Sequence, residues 1–213
     1  MQIGGLSMGR NCLDFKELYE NKILGLDPGW GSEGGTGYAI INLDAEYFGG
    51  TKNKPIVDEC GLITTFASDS RLATKEELCE KAIKVWKANA GFIRQPYALI
   101  IDKPLIYPGS PVRYQTIVDL SELAGMLGRC FRPKIKITPF PREWKGNQAK
   151  NTTQESILGV LDIYSKNNLS KGLVSIPKHK HHNIFDAIGI GFYGAEIISK
   201  QREFPANNHC RKS

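Results

Sequence analysis

Three aspartates lie at the ends of apolar runs or within them, where a charged side chain is unusual. Asp27 ends the apolar run "KILGL", and Asp102 ends the apolar run "ALII". Strand interiors disfavour aspartate, so a carboxylate at the tip of each run is informative. A third acid, Asp186, lies in the stretch "HHNIFDAIGIG" near the start of a predicted closing helix. These three carboxylates are the first candidates for chemistry.

Clustered carboxylates repel one another unless a cation neutralises them. If the two strand ends are neighbours in one sheet and the closing helix crosses them, the three acids converge. Hard oxygen ligands suit Mg²⁺ or Mn²⁺, and two such ions about 4 Å apart can activate a water and stabilise the leaving oxygen of a phosphodiester. Asn183 lies three residues before Asp186, so its amide oxygen can serve as a neutral fourth ligand on the same helix face.

Each of these residues also has a purely structural explanation. Asp27, followed by Pro-Gly, can be a turn residue. Asp186 can be an acid favoured by the dipole at a helix N-terminus, and Asn183 can be the N-cap of that helix. The recurrence of acids at strand ends, in this order along the chain, favours the metal site over the three separate explanations.

The elements that must position the acids follow from hydrophobic periodicity. A capping box at Thr74 to Glu77 starts the first predicted helix, and the first three strands are expected to form an antiparallel meander. The overall order is βββαβαβαα, a mixed α/β arrangement.

The five strands are predicted over "KILGLDP", "TGYAIINLD", "KPIVDECGLITTF", "YALIIDKP" and "KIKITPF". The later helices are predicted over "VRYQTIVDLSELAGMLGRC", "NTTQESILGVLDIYSKNN" and "IFDAIGIGFYGAEIISK". A basic loop is predicted over "IPKHKHHN".

Composition and charge limit the possible functions. With 213 residues, 41% of them hydrophobic, the chain is expected to form one domain with terminal extensions. Residues 131–213 carry 14 Lys and Arg against 6 Asp and Glu, which indicates an anionic partner such as nucleic acid or, alternatively, a solvated basic face. No apolar run reaches the roughly 18 residues of a membrane helix. With no hydrophobic signal core and no Cys-x-x-Cys pair, we expect a soluble, cytoplasmic protein without a membrane partner.

Four stretches together resemble the motif regions of the RuvC-type Holliday junction resolvases, the RNase H-like nucleases of bacteria and phages. They are "ILGLDPGWGSEGGTGYAII", "ALIIDKP", "PFPREWKGNQAK" and "HHNIFDAIGIGFYG". The resemblance implies an RNase H-like fold with a five-stranded mixed sheet flanked by helices, and a homodimer acting on four-way or branched DNA in a bacterial or phage-infected cell. It divides the chain into an N-terminal extension (1–21), a resolvase domain (22–200) and a C-terminal tail (201–213).

The resemblance places the catalytic, metal-binding residues at Asp27, Asp102, Asn183 and Asp186, with two Mg²⁺ or Mn²⁺ ions per active site. Two departures stand out, because the family usually has glutamate where this chain has Asp102, and aspartate or histidine where it has Asn183. A shorter acid and an uncharged amide predict weaker binding at one metal position and higher activity with Mn²⁺ than with Mg²⁺.

The same resemblance assigns DNA contacts to Lys145 and Lys150, as lysines that meet the phosphate backbone. Tyr107 is expected either to wedge against bases at the junction centre or to pack under the "PGSP" loop. His182 is expected near the scissile phosphate, within a histidine cluster that we interpret as a basic loop rather than a metal site. Trp144 is expected to pack in the core rather than to stack on a base.

Two other functions share parts of this pattern. A non-catalytic relative that binds branched DNA would keep the fold while its acids become structural. The two departures keep this alternative open, although three aspartates are sufficient for catalysis. The ATPases of the actin and sugar-kinase group also have a first strand ending in Asp-x-Gly, but they need a duplicated domain to form the nucleotide cleft. A chain of 213 residues leaves little room for that second half.

Overall fold

A single mixed sheet of five strands organises the protein. The computed structural model describes residues 21–30, 34–43, 54–64, 72–90, 95–105 and 113–203. The strands lie in the order β3-β2-β1-β4-β5, with β1 antiparallel to β2, β2 antiparallel to β3, and β4 parallel to both β1 and β5. This arrangement confirms the RNase H-like fold. The strands are β1 Lys22–Asp27, β2 Gly35–Asn42, β3 Ile56–Thr64, β4 Ala98–Ile101 and β5 Ile135–Ile137.

Helices cover both faces of the sheet because its central strands are apolar on both sides. Alternate residues of β1 face opposite layers: Leu24 packs with α1 and α2, whereas Ile23 packs with α4, α5 and α6. None of the described helices is long and apolar enough to cross a membrane. The helices are α1 Lys75–Asn89, α2 Tyr114–Phe131, α3 Pro141–Lys145, α4 Lys150–Val160, α5 Ile163–Leu173 and α6 His181–Glu203, with a 3₁₀ turn at Lys178–Lys180.

The predicted start of α1 is confirmed in detail. The Glu77 backbone N–H donates to the Thr74 hydroxyl at 3.2 Å, and the Thr74 N–H donates to the Glu77 carboxylate at 2.8 Å. This reciprocal pair is the capping box that the sequence pattern indicates.

The second half of the chain departs from the prediction in three places. The single helix expected over residues 151–168 is two helices, because Asp162 caps a new one by accepting from the Ser165 N–H at 2.7 Å. The short helix α3, which starts with Pro141 as its first residue, was not predicted. The expected basic loop at 176–183 is largely a 3₁₀ turn followed by the first turn of α6, so His182 and Asn183 are helical.

The predicted extension and tail fall mostly on residues 1–20 and 204–213, which lie outside the described residues. The sheet begins at Lys22, and α6 continues to Glu203, three residues past the predicted domain boundary. The division of the chain into extension, domain and tail stays a prediction.

Candidate active site

Sheet pairing brings the first two acids together. In the parallel β1–β4 pair Leu26 lies opposite Ile101, so the next residue on each strand is one of the aspartates. The backbone N–H of Asp102 donates to the carbonyl of Leu26 at 3.0 Å, which continues the ladder to the strand ends. Asp27 and Asp102 therefore lie side by side at one edge of the sheet, and both line a cavity of about 170 Å³.

Two glycines let α6 lie close enough to deliver the third acid. A Cβ on Gly25 of β1 would collide with the backbone carbonyl of Ala187, and a Cβ on Gly37 of β2 would collide with the carbonyl of Asn183. Any larger residue would push the helix off the sheet at the turn that carries Asp186. Close packing at these two positions therefore places Asp186 next to the ends of β1 and β4.

The three carboxylates share one electrostatic environment. Burial raises the pKa of Asp27 well above its usual range, and the negative charges of Asp186 and Asp102 raise it further. Lys145 and Lys150 act in the opposite direction. The acids thus interact as the sequence predicts, and ionising all three together is costly without additional positive charge.

Trp144, from the short helix α3, holds the second acid. Its indole N–H donates to Asp102 Oδ1 at 3.2 Å. Burial raises the pKa of Asp102 to about 6, although the bond from Trp144 and the charge of Lys145 oppose that rise. The Trp144 ring packs against a hydrophobic cluster, as predicted, but this packing is only part of its role. Sequence reasoning missed the bond to Asp102.

Lys145 contacts the third acid directly. Its Nζ forms an ion pair with Asp186 Oδ2 at 3.0 Å, and it lies 4.7 Å from the centroid of the Trp144 ring. Lys145, expected to contact DNA phosphates, is therefore also a counter-charge within the acid cluster. That contact was not predicted, since it joins residues 41 positions apart.

Lys150 and His182 also lie close to the acids of the site. Both lie within electrostatic reach of Asp186 or Asp27. Burial lowers the pKa of His182, and the positive charges of Lys150 and Lys145 lower it further, against the raising effect of Asp186. These effects favour the neutral form of His182, which can both donate and accept a hydrogen bond.

Asn183 is part of the helix and not its N-cap, which corrects one of the structural explanations. It is buried, and its Nδ2 donates to the carbonyl of Gly35 at 2.8 Å. This bond ties α6 to the start of β2. Of the side-chain amide, only the oxygen is then available for a metal ion. Tyr107 lies outside the described residues, so its predicted role stays a prediction.

A second, larger cavity lies behind the site and is separate from the acids. It has a volume of about 680 Å³ and runs between α4 and α6, with Trp144, Phe192 and Tyr193 in its walls. Trp144 and Lys145 line this cavity and also contact Asp102 and Asp186, respectively. None of the three aspartates lines it.

No protein-family model and no curated protein matches the sequence. Among solved structures, RuvC from Thermus thermophilus matches with a TM-score of 0.53 and 15% identity, over 84% of this chain and 96% of that one. The same protein in complex with a Holliday junction substrate gives 0.54 and 15%, over the same shares. Ydc2, the yeast mitochondrial Holliday junction resolvase, gives 0.53 and 12%, over 87% and 83%.

This chain has the RuvC fold. The match confirms the resemblance seen in the motifs, at an overall identity of 12–15%. In this RuvC-like fold the three aspartates come from the end of β1, the end of β4 and the first turns of α6.

The donor set at the three aspartates fits a divalent cation. Within the described ranges no three His, Cys, Asp or Glu side chains are arranged as a ready-made metal-ligand group. Lys145 pairs with Asp186, and Trp144 binds Asp102. The available atoms are nevertheless carboxylate oxygens, the ligands that Mg²⁺ and Mn²⁺ prefer. Burial, and after it the repulsion from Asp186 and Asp102, raises the pKa of Asp27, and a bound cation would offset this cost of ionising the acids.

Proposed function

We propose that this protein is a metal-dependent endodeoxyribonuclease that resolves Holliday junctions or other branched DNA by paired phosphodiester hydrolysis. One observation carries the proposal: three aspartates from β1, β4 and α6 interact at one edge of a RuvC-like sheet, with two lysines beside them. The proteins with a similar fold include a RuvC in complex with a Holliday junction substrate.

In this proposal Asp27, Asp102 and Asp186 hold two Mg²⁺ or Mn²⁺ ions, with the Asn183 amide oxygen as a further ligand. Such ions supply a water nucleophile at neutral pH and Lewis-acid stabilisation of the phosphodiester oxygens. The protein's own groups bind and orient the DNA. Lys145 and Lys150 bind backbone phosphates, His182 donates a hydrogen bond near the scissile phosphate, and Tyr107 contacts the bases at the branch point.

The basic second half of the chain supplies the wider DNA-binding surface, since 14 of its residues are Lys or Arg. Resolving a junction needs two matched nicks in opposed strands. We therefore propose that the protein acts as a homodimer, whose two-fold axis presents two equivalent sites to a four-way junction.

A second candidate is a branched-DNA-binding protein that does not cleave. The ion pair between Lys145 and Asp186 favours it, because this contact neutralises one acid without a metal. The raised pKa of Asp27 weighs against it, since acids kept only for structure would gain nothing from repelling one another.

A synthetic four-way junction and a linear duplex of the same arm sequence separate these candidates. Each is incubated with the protein in Mg²⁺, Mn²⁺ or EDTA, and the products are resolved on a denaturing gel. We expect paired nicks near the branch point in Mg²⁺ or Mn²⁺ and none in EDTA. Junction binding without cleavage in either metal would establish the second candidate instead, and equal cleavage of the duplex would remove the assignment to branched DNA.

A further inference from the structure

We infer that Trp144 is a positioning residue, whose indole N–H fixes the Asp102 carboxylate in the orientation that the metal site requires. The inference rests on the proposed function, because it assigns Asp102 to a metal site. It adds a residue that neither the motifs nor the structural comparisons assign to the chemistry.

The geometry of α3 carries the inference. Trp144 and Lys145 are consecutive residues on this single turn of helix, and each contacts a different acid. Trp144 Nε1 lies 3.2 Å from Asp102 Oδ1, and Lys145 Nζ lies 3.0 Å from Asp186 Oδ2. One turn of helix therefore holds one carboxylate from the end of β4 and one from α6.

The Trp144 ring is itself held in place, so its N–H has a defined direction. The six-membered part of the ring lies against Gly189 of α6, where a Cβ would come within 2.5 Å of it. Ile157 of α4 lies at the same point, and the ammonium group of Lys145 lies 4.7 Å from the ring centroid. A ring fixed by these neighbours can orient the carboxylate that it binds.

Trp144 supplies a side-chain donor to an acid whose backbone is already fixed. Asp102 follows the last position of β4, and the next residue is anchored by the Lys103 N–H, which donates to the Pro139 carbonyl at 2.9 Å. The Lys103 N–H also lowers the pKa of the Asp102 carboxylate, so the indole N–H completes a small set of donors around this acid. An indole N–H is a donor only, so it binds one carboxylate oxygen and leaves the charge and the other oxygen available to a cation.

Trp144→Phe tests the inference, because it keeps an aromatic ring against Gly189 and beneath Lys145 while removing the N–H. We expect the Mg²⁺ concentration for half-maximal junction cleavage to rise about 10-fold to 100-fold. Junction affinity in EDTA should stay within about twofold. The matched control is Trp86→Phe, a buried ring on the other face of the sheet, 6.5 Å from Phe131. The control should lower the melting temperature without changing the metal requirement.

A second measurement does not depend on cleavage. Mn²⁺ binding without DNA can be followed by the loss of the electron paramagnetic resonance signal of free Mn²⁺, and Trp144→Phe and Asp102→Asn should each bind Mn²⁺ about 10-fold to 100-fold more weakly than the wild type. A Trp144→Phe protein with the wild-type metal requirement and the wild-type Mn²⁺ affinity would overturn the inference. A Mn²⁺ affinity that falls in Trp144→Phe, in a protein that never cleaves DNA, would support the inference and overturn the nuclease proposal.

Discussion

The two ends of strand β1 carry lysine–aspartate contacts that look alike and differ in charge balance. At its start, Lys22 pairs with Asp58 of β3, and the two side chains are 14% and 11% exposed. At its end, beside Asp27, Lys145 pairs with Asp186, and those side chains are 22% and 13% exposed. Burial and pairing are therefore nearly the same in the two places.

The difference lies in the number of acids relative to the number of lysines at each end of the strand. Lys22 meets one carboxylate, and its pKa, lowered by burial to about 8, still leaves it charged at neutral pH. At the other end Lys145 and Lys150 face three aspartates, and the pKa of Asp27 rises because of burial and the other two acids. A balanced pair stabilises a fold or costs it little, whereas an excess of buried negative charge costs stability, which a bound cation would offset in the function that we propose.

The largest expected effect is at the unbalanced end. Asp27→Asn should reduce junction cleavage to background, because it removes a metal ligand, while junction binding persists. It should also raise the free energy of unfolding in EDTA, since the amide carries no charge to bury or to repel. Denaturant titration and a gel cleavage assay measure the two effects. Metal-dependent cleavage retained by Asp27→Asn, or by the companion Asp186→Asn, would contradict the assignment.

At the balanced end, where Lys22 pairs with Asp58, a substitution should lower stability and leave cleavage unchanged. Asp58→Ala removes the partner of a buried lysine and should lower the free energy of unfolding by about 3 kcal/mol. Its cleavage rate at temperatures where it is folded should match the wild type. Glu196→Ala is the control, because it breaks an exposed pair with Lys200 and should cost much less. A loss of cleavage in folded Asp58→Ala would remove the distinction between the two ends.

The pH dependence of stability should reveal the excess charge. The pKa of Asp102 is raised in the folded state, from an ordinary 3.8 to about 6. Its contribution to stability is therefore fully present below the unfolded pKa and is lost as pH rises through about 6. In EDTA the wild type should lose up to about 3 kcal/mol relative to Asp102→Asn between pH 4 and pH 7. Denaturant titrations across this range test it, and a pH-independent difference would show that Asp102 titrates normally.

The smallest effect concerns the two lysines at the unbalanced end. Lys145→Ala and Lys150→Ala should each weaken junction binding for all sequences and lower the slope of log affinity against log salt by about one unit. Lys87→Ala on the exposed side of α1, outside the basic second half of the chain, is the control and should leave the slope unchanged. Unchanged slopes for Lys145→Ala and Lys150→Ala would mean that these lysines offset the charge of the aspartates and do not contact DNA phosphates.

Local patterns in the sequence were sufficient for the class of fold and for the acids. The apolar runs of β1 and β4, the capping box at Thr74 and the aspartates at the strand ends all depend on neighbouring residues. Such features are visible in a window of a few positions. Boundaries were less predictable: the new helix at Asp162 and the helical state of His182 depend on how that part of the chain packs.

The contacts that turn three acids into a candidate site were decided by the tertiary structure. Trp144 meets Asp102 across 42 positions, and Asn183 meets Gly35 across 148. No local periodicity specifies such partners, because they depend on how closely α6 crosses the sheet. That distance is set by Gly25 and Gly37, which in the sequence are only two of 22 glycines. The sequence by itself determined which carboxylates stand at the strand ends, and close backbone packing decided which side chains hold them there.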